Sequence, residues 1–191
     1  SSSSVYGANT KMPFTEIDKT ETQLSIYAAT KKATEGMAHS YSNIYKIPIT
    51  MLRFFSAYGP WGRPDMAIYI FTNKLLKNEP ITVFNNGQMS RDFTFINDII
   101  DGIVSSITKN YNCEVFNLGN NKPEDLMDVI SIIEKILGKK ANIQYMPMQL
   151  GDVKKTHADL GKSKIKLGFE PKINLEHGIN SFIEWYMKYL K

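Results

Sequence analysis

Only one cysteine, Cys113, occurs in the 191 residues, so no internal disulfide can form. That scarcity suits a reducing compartment, and the chain is expected in the cytosol with Cys113 serving packing. No apolar run reaches the ~18 residues of a membrane span, and the first residues lack a basic segment followed by an apolar stretch. Charge of one sign is missing too: 23 Lys and Arg are scattered among 19 Asp and Glu, for a net +4. Without a basic block or a nucleic-acid motif, a solvated surface is expected rather than a DNA or RNA partner. His39, His157 and His177 show no metal-ligand spacing. The 12 glycines form no Gly-x-x-Gly-x-x-Gly turn after a strand. That turn is the device that brings backbone amides against a dinucleotide pyrophosphate at a helix N-terminus.

The remainder reads as an ordinary globular chain, 42% hydrophobic and 22% charged, long enough for one large domain or two small ones. Helical and strand patterns alternate, which places the fold in the α/β class. The first seven residues read as the end of a buried strand running into a turn, followed by a loop to about Glu21. A long helix is expected from about Thr22 to Tyr45, started by Ser25 or Thr22 and stopped at Lys46-Ile47-Pro48. Residues 49–54 are β-branched and apolar, as in a buried strand of a mostly parallel sheet. The pattern then predicts a helix over 66–77, a strand over 81–84, and a hairpin turn at Asn86-Gly87 into a strand over 91–95. Asn97-Asp98 is expected to cap a helix running to about Lys109. A strand over 114–118, a helix over 124–137 ended by Gly138, a strand over 143–146 and helices over 161–167 and 175–190 complete the chain.

Tyr27 and Lys31 lie four apart on the first long helix, so hydroxyl and ammonium share one face. A phenol titrates near about 10, and a neighbouring cation favours its phenolate, which would make Tyr27 a base near neutral pH. Ten Tyr and twenty Lys produce roughly one such spacing by chance, so the pair alone decides nothing. Its context adds weight. The run Ser1-Ser2-Ser3-Ser4-Val5-Tyr6-Gly7 lies upstream. Downstream is Arg53-Phe54-Phe55-Ser56-Ala57-Tyr58-Gly59-Pro60-Trp61-Gly62-Arg63-Pro64-Asp65. The 59–64 loop leaves the C-terminal end of a strand, where an open α/β sheet places ligands.

Together SSSSVYG, YAATK, RFFSAYGPWGRPDMA, NNGQMSRDFTFINDI, NLGN and GDVKKTHADLGKSK resemble the extended short-chain dehydrogenase/reductase family. Within its nucleotide-sugar branch, the pattern is most similar to that of the UDP-glucuronate 4-epimerases. The resemblance spans nearly the whole chain. It implies the C-terminal part of a Rossmann-like enzyme with a small α/β substrate-binding domain, most of the NAD domain being absent. Residues 1–60 would be the NAD-domain remnant carrying the catalytic Ser and the Tyr/Lys pair. Residues 61–191 would mainly bind the UDP-sugar, with the strand near 114–118 returning to the Rossmann sheet. The implied reaction is NAD-dependent inversion at C4 of UDP-glucuronate to UDP-galacturonate through a 4-keto sugar, with no net oxidation. The isolated chain is expected to be inactive, and the full-length enzyme a homodimer through the helix bearing Tyr27.

The resemblance also implies roles. Tyr27 is the base, and Lys31 lowers its pKa and holds the nicotinamide ribose. Ser2, three residues before Val5, hydrogen-bonds the reacting O4, a donor fixed where charge develops; Ser1 is a plain strand residue. A 4-keto uronate is a β-keto acid that tends to lose carbon dioxide, and Ser3, Ser4, Ser56 and Arg63 would restrain its carboxylate. A guanidinium's planar fork suits that task; the alternative for Arg63 is a surface ion pair. Phe55 would lie near the nicotinamide and Phe84 near the uracil, unless each is simply core. Arg91 would meet the diphosphate and Asp152 the uridine ribose. Gln149 stands where galactose-type epimerases carry a phosphate-binding Arg. Related 4,6-dehydratases carry Asp-Glu at the Ser3-Ser4 position, and related decarboxylases carry Glu at the Ser4 position. Hydroxyls cannot replace those carboxylates, so epimerisation is favoured over both. The competing readings are a UDP-glucose 4-epimerase, a UDP-glucuronate decarboxylase, and a non-catalytic remnant that only binds nucleotide sugar.

Overall fold

The structure, a computed structural model, describes residues 1–189. Helix α1 (Ile26–Tyr45) starts where Ser25, in extended backbone, accepts a hydrogen bond from Ala28 N at 3.1 Å. Ser25 is therefore the cap, and the expected start at Thr22 moves inward by about a turn. The helix ends on Lys46, which adopts left-handed backbone ahead of Pro48. Its buried residues, Ala28, Glu35 and Ser42, are spaced seven apart and form one stripe. Met37, Tyr41, Ile44 and Tyr45 are exposed on another face, so the usual amphipathic pattern is inverted here.

Strand β1 (Ile49–Phe54) pairs in parallel with β5 (Cys113–Leu118), with Ile49 opposite Cys113 and Phe54 opposite Leu118. Ser2 makes a single parallel bridge to Phe54, so the strand end expected at the serine run is reduced to one bridging residue. It turns at once into a 3-10 turn, Ser3–Tyr6. One residue after β1 comes β2 (Ser56–Tyr58), which enters a different sheet. It pairs in parallel with β4 (Ser90–Phe95), and β4 pairs antiparallel with β6 (Pro123–Asp125). A third, two-stranded sheet joins β3 (Ile81–Phe84) to β7 (Ile143–Met146).

That pairing overturns the hairpin expected at Asn86-Gly87. Asn85, Asn86 and Gly87 do take positive φ, as their residue types suggested, but the turn carries the chain from β3 in one sheet to β4 in another. Turn chemistry sets φ and leaves the partner open. Ile81 and Val83 are fully buried and align with β7, Ile81 opposite Ile143. Helices α2 (Ala67–Leu76) and α4 (Leu126–Leu137) pack with β3 in the same apolar cluster. The cap expected from Asn97-Asp98 is also corrected. Helix α3 (Ile96–Ile107) begins after Phe95 with no side-chain cap. Asp98 is buried and accepts from Lys172 N (3.0 Å) and Ile173 N (3.1 Å), fastening a distant segment. Helix α4 starts at Leu126 because 123–125 pairs as β6. Helix α5 (Gly161–Leu167) matches its expectation. Helix α6 runs Leu175–Tyr189, and its expected last residue, Leu190, lies outside the described residues.

Two apolar clusters form the core. One gathers Tyr58, Phe71, Phe95, Ile130 and Phe182 around β2 and β4 with α2, α4 and α6. The other gathers Tyr6, Phe14, Phe55, Phe116 and Leu118 against β1 and β5. Inside the second, Asn117 accepts from Tyr6 Oη (2.7 Å) and donates to the carbonyls of Phe14 (2.9 Å) and Asp159 (3.2 Å). A buried amide with its bonds filled fixes the loops around the first sheet. Among the described residues no helix is long and apolar enough to cross a membrane.

Candidate active site

The chain changes sheets at Phe55, between the C-terminal end of β1 and the start of β2. Ser2 sits at the same level, through its bridge to Phe54. The C-terminal edge of a parallel sheet is where such folds leave room for ligands. A cavity of about 300 Å³ opens there, with Ser2, Tyr27, Phe55, Gly59, Trp61 and Arg63 in its wall. A larger one, about 790 Å³, has Ser56, Phe84, Arg91, Gln149 and Asp152 in its wall. Ala57, Tyr58 and Met66 line both, so the cavities adjoin across β2 and the loop after it. The expected site residues therefore divide between two neighbouring spaces. Neither wall includes Ser3, Ser4 or Lys31.

Ser2 Oγ accepts from Ser4 N (3.2 Å) and from Ser4 Oγ (3.0 Å). A hydroxyl has two acceptor sites and one proton, so this arrangement leaves the Ser2 proton free to be donated into the cavity. Ser4 acts on Ser2 here rather than on the space itself. Ser1 Oγ donates to Glu35 Oε1 (2.7 Å). Tyr27 sits in the first turn of α1 and is 51% exposed. Lys31 Nζ lies over its ring, 5.5 Å from the centroid, so the spacing of four does put both groups on one face. Tyr58, by contrast, is buried, and burial pushes its phenol well above the usual range. It stays neutral.

Arg63 is two-thirds exposed. Its Nε lies 3.2 Å from Asp65 Oδ1, and its Nη2 lies 3.4 Å from Met66 Sδ. An exposed pair of this kind contributes about 0–1 kcal/mol, little enough for the guanidinium to change partners. Arg91 is held more firmly. Its Nη2 meets Asp152 Oδ1 at 2.8 Å, and its Nη1 donates to the carbonyls of Ser90 (3.0 Å) and Lys154 (3.1 Å). Burial lowers its pKa, with the Asp152 carboxylate opposing.

Sequence reasoning missed one element, the ion pair of Arg53 and Glu35. Arg53 Nε and Nη2 grip Glu35 Oε1 and Oε2 at 2.8 and 3.0 Å, and both side chains are buried. Lys32 Nζ adds a contact at 3.3 Å, and the Arg53 guanidinium stacks 4.8 Å from the Tyr6 ring centroid. Burial alone would raise the Glu35 carboxyl. Hydrogen bonds from Arg53 and Ser1, with the charges of Arg53 and Lys32, outweigh it and hold the group at about 2. The signal was present: an Arg inside the apolar run Ile-Thr-Met-Leu-Arg-Phe demands a buried partner, and Glu35 follows Lys31 by one helical turn. The pair clamps α1 onto β1 and, through Ser1, onto the serine segment. It therefore sets where Tyr27 stands relative to Ser2.

Residues 1–119 match the NAD dependent epimerase/dehydratase family. An uncharacterized protein of Methanocaldococcus jannaschii is 50% identical over 188 residues, covering 98% of this chain and 58% of that protein. UDP-glucuronate 4-epimerase 5 of Arabidopsis thaliana is 44% identical, covering 98% of this chain and 47% of that protein. Among solved structures, a UDP-glucuronic acid 4-epimerase from Bacillus cereus in complex with UDP-glucuronic acid and NAD superposes with a TM-score of 0.92 at 36% identity. The match covers 100% of this chain and 60% of that one. The chain thus spans about half to three fifths of the length of these proteins.

Proposed function

Because the chain belongs to the NAD dependent epimerase/dehydratase family, we propose that it carries the catalytic and sugar-contacting residues for inverting C4 of a UDP-uronate, interconverting UDP-glucuronate and UDP-galacturonate. The observation that carries this reading is the meeting of Ser2, Tyr27 and Arg63 at one cavity, beside a second space holding Arg91 and Asp152. Tyr27 takes the proton of the C4 hydroxyl, with the Lys31 ammonium beside its ring on the same helical face. Ser2 donates its free proton toward O4, where charge develops. Arg63 and Ser56 restrain the carboxylate; Ser3 and Ser4, expected beside them, line neither cavity, and Ser4 acts through its bonds to Ser2. In the larger cavity Phe84 lies against the uracil, Arg91 against the diphosphate and Asp152 against the ribose.

NAD, when bound, supplies the acceptor and donor of hydride at C4. The residues present fit its nicotinamide end: Tyr27 and Lys31 offer two polar groups on one helical face, and Tyr27 and the largely buried Phe55 both line the smaller cavity. For the pyrophosphate end these residues offer no glycine turn, so the 191 residues alone bind NAD weakly and turn over nothing. We assign 1–60 to the NAD side and 61–191 mainly to the UDP-sugar side, with β5 returning to the first sheet beside β1. The pairing of β1 with β5 supports that division.

The test joins these residues to a segment carrying a Gly-x-x-Gly-x-x-Gly turn and assays the product with no added NAD. UDP-glucuronate and UDP-galacturonate interconvert. Conversion of UDP-glucose alone rejects the uronate, release of carbon dioxide indicates a decarboxylase, and tight NAD binding by the 191 residues alone contradicts the assignment of weak binding. We further propose that the full-length enzyme is a homodimer through α1, because Met37, Tyr41, Ile44 and Tyr45 form an exposed apolar face at helical spacing. Tyr41→Lys then shifts sedimentation toward monomer; a wild type already monomeric at all concentrations rejects the interface.

A further inference from the structure

Trp61 occupies a backbone position that bulky residues avoid. Gly62 N donates to Gly59 O at 3.1 Å, closing a four-residue turn with Pro60 second and Trp61 third, the latter at φ 62. That third place, where φ is positive, is normally taken by glycine or asparagine, and a large side chain there is strained. Burial does not explain the choice, since Trp61 is 74% exposed. What receives the ring is α6. The Trp61 centroid lies 5.2 Å from Trp185 and 5.2 Å from Tyr189, and those two stack 5.1 Å apart. Aromatic contacts of this kind are of the size needed to offset strain at one residue. Trp61 also lines the cavity shared by Ser2, Tyr27 and Arg63. Arg63, two residues on, is held among the described residues by the exposed Asp65 and by Met66.

We propose that Trp61 is a positioning residue for substrate selectivity: clipped onto Trp185 and Tyr189, it holds the 59–65 loop so that Arg63 reaches the carboxylate of an acidic sugar bound beside Tyr27. The inference rests on the function proposed above. It adds that the preference for a charged over a neutral sugar depends on an aromatic clip at the edge of the cavity, with Trp185 and Tyr189 outside its lining. Trp61→Gly removes the ring and relieves the positive φ together, so this variant folds even where Trp185→Ala does not.

The experiment is titration calorimetry of UDP-glucuronate and of UDP-glucose into the 191-residue chain and its variants. Trp61→Gly and Trp185→Ala each lose about tenfold of the preference for the glucuronate, the size of one charge-assisted contact. Affinity for UDP-glucose stays within about twofold, and Trp185→Phe restores the preference. An unchanged preference in folded Trp61→Gly overturns the proposal. Equal losses for both sugars also overturn it, because the ring would then be merely structural. If the wild type binds neither sugar, the proposed function fails and takes the inference with it.

Discussion

Tyr27→Phe lowers the rate of C4 inversion by about 10³-fold and leaves the melting temperature where it was. The two halves of that expectation have separate grounds. The phenol oxygen has no hydrogen bond among the described residues, and the ring is half exposed in the first turn of α1. Deleting one oxygen there leaves no buried partner unsatisfied, so folding is indifferent to it. The chemistry is not indifferent. Tyr58, the other phenol in the wall, is kept neutral by burial, so it cannot take over as the base. The measurement is turnover of UDP-glucuronate by the 191 residues joined to a dinucleotide-binding segment, alongside thermal unfolding. Retained turnover with an unchanged melting temperature would remove Tyr27 from its role.

The second large effect is on the fold. Glu35→Ala leaves Arg53 buried without its carboxylate, and a buried charge stripped of its partner costs about 3–5 kcal/mol. Acid should act on the same pair. The Glu35 carboxyl is held at about 2 against its ordinary 4.5, a depressed value, so its contribution is fully present above about pH 4.5 and is lost as the pH falls toward 2. The size is about 3 kcal/mol. Denaturant unfolding at pH 7 and at pH 3 therefore finds the gap between wild type and Glu35→Ala narrower at the lower pH. A constant gap would mean that the carboxylate does not stabilise through its charge. The paired replacement Glu35→Leu with Arg53→Met separates stability from positioning. An apolar pair of similar size is close to neutral for stability, yet it loses the Ser1 contact, so turnover falls while unfolding barely moves.

Much of this was legible before any coordinates. The buried strand over 49–54 and the Tyr27-Lys31 spacing could be read locally, because apolar β-branched runs and a helical period of four are properties of neighbouring residues. The long helix was legible as an element, but its start was not, since Ser25 and Thr22 are both competent caps and only tertiary packing chooses. Asn86-Gly87 shows the limit more sharply. Its positive φ values followed from residue type, while the partner of β3 depended on Ile143 sixty residues away. Asp98 read as a cap and instead serves the amides of Lys172 and Ile173, a contact no local pattern encodes. Glu35 and Arg53 lie in two different elements, and each looks ordinary until the other is placed beside it. The candidate cavity was legible where motifs are dense, at Ser2, Tyr27 and Arg63, which line it together, and illegible where two segments had to meet.

The central claim is that Ser2 and Tyr27 direct reversible inversion at C4 of a uronate attached to UDP. UDP-glucuronate carrying deuterium at C4 tests it most directly, given to these residues joined to a dinucleotide-binding segment and followed by mass spectrometry and proton NMR. The account predicts UDP-galacturonate that keeps the deuterium at C4, formed about 10³-fold more slowly by Tyr27→Phe. A product that has lost its carboxylate, or deuterium washed out to solvent, contradicts it.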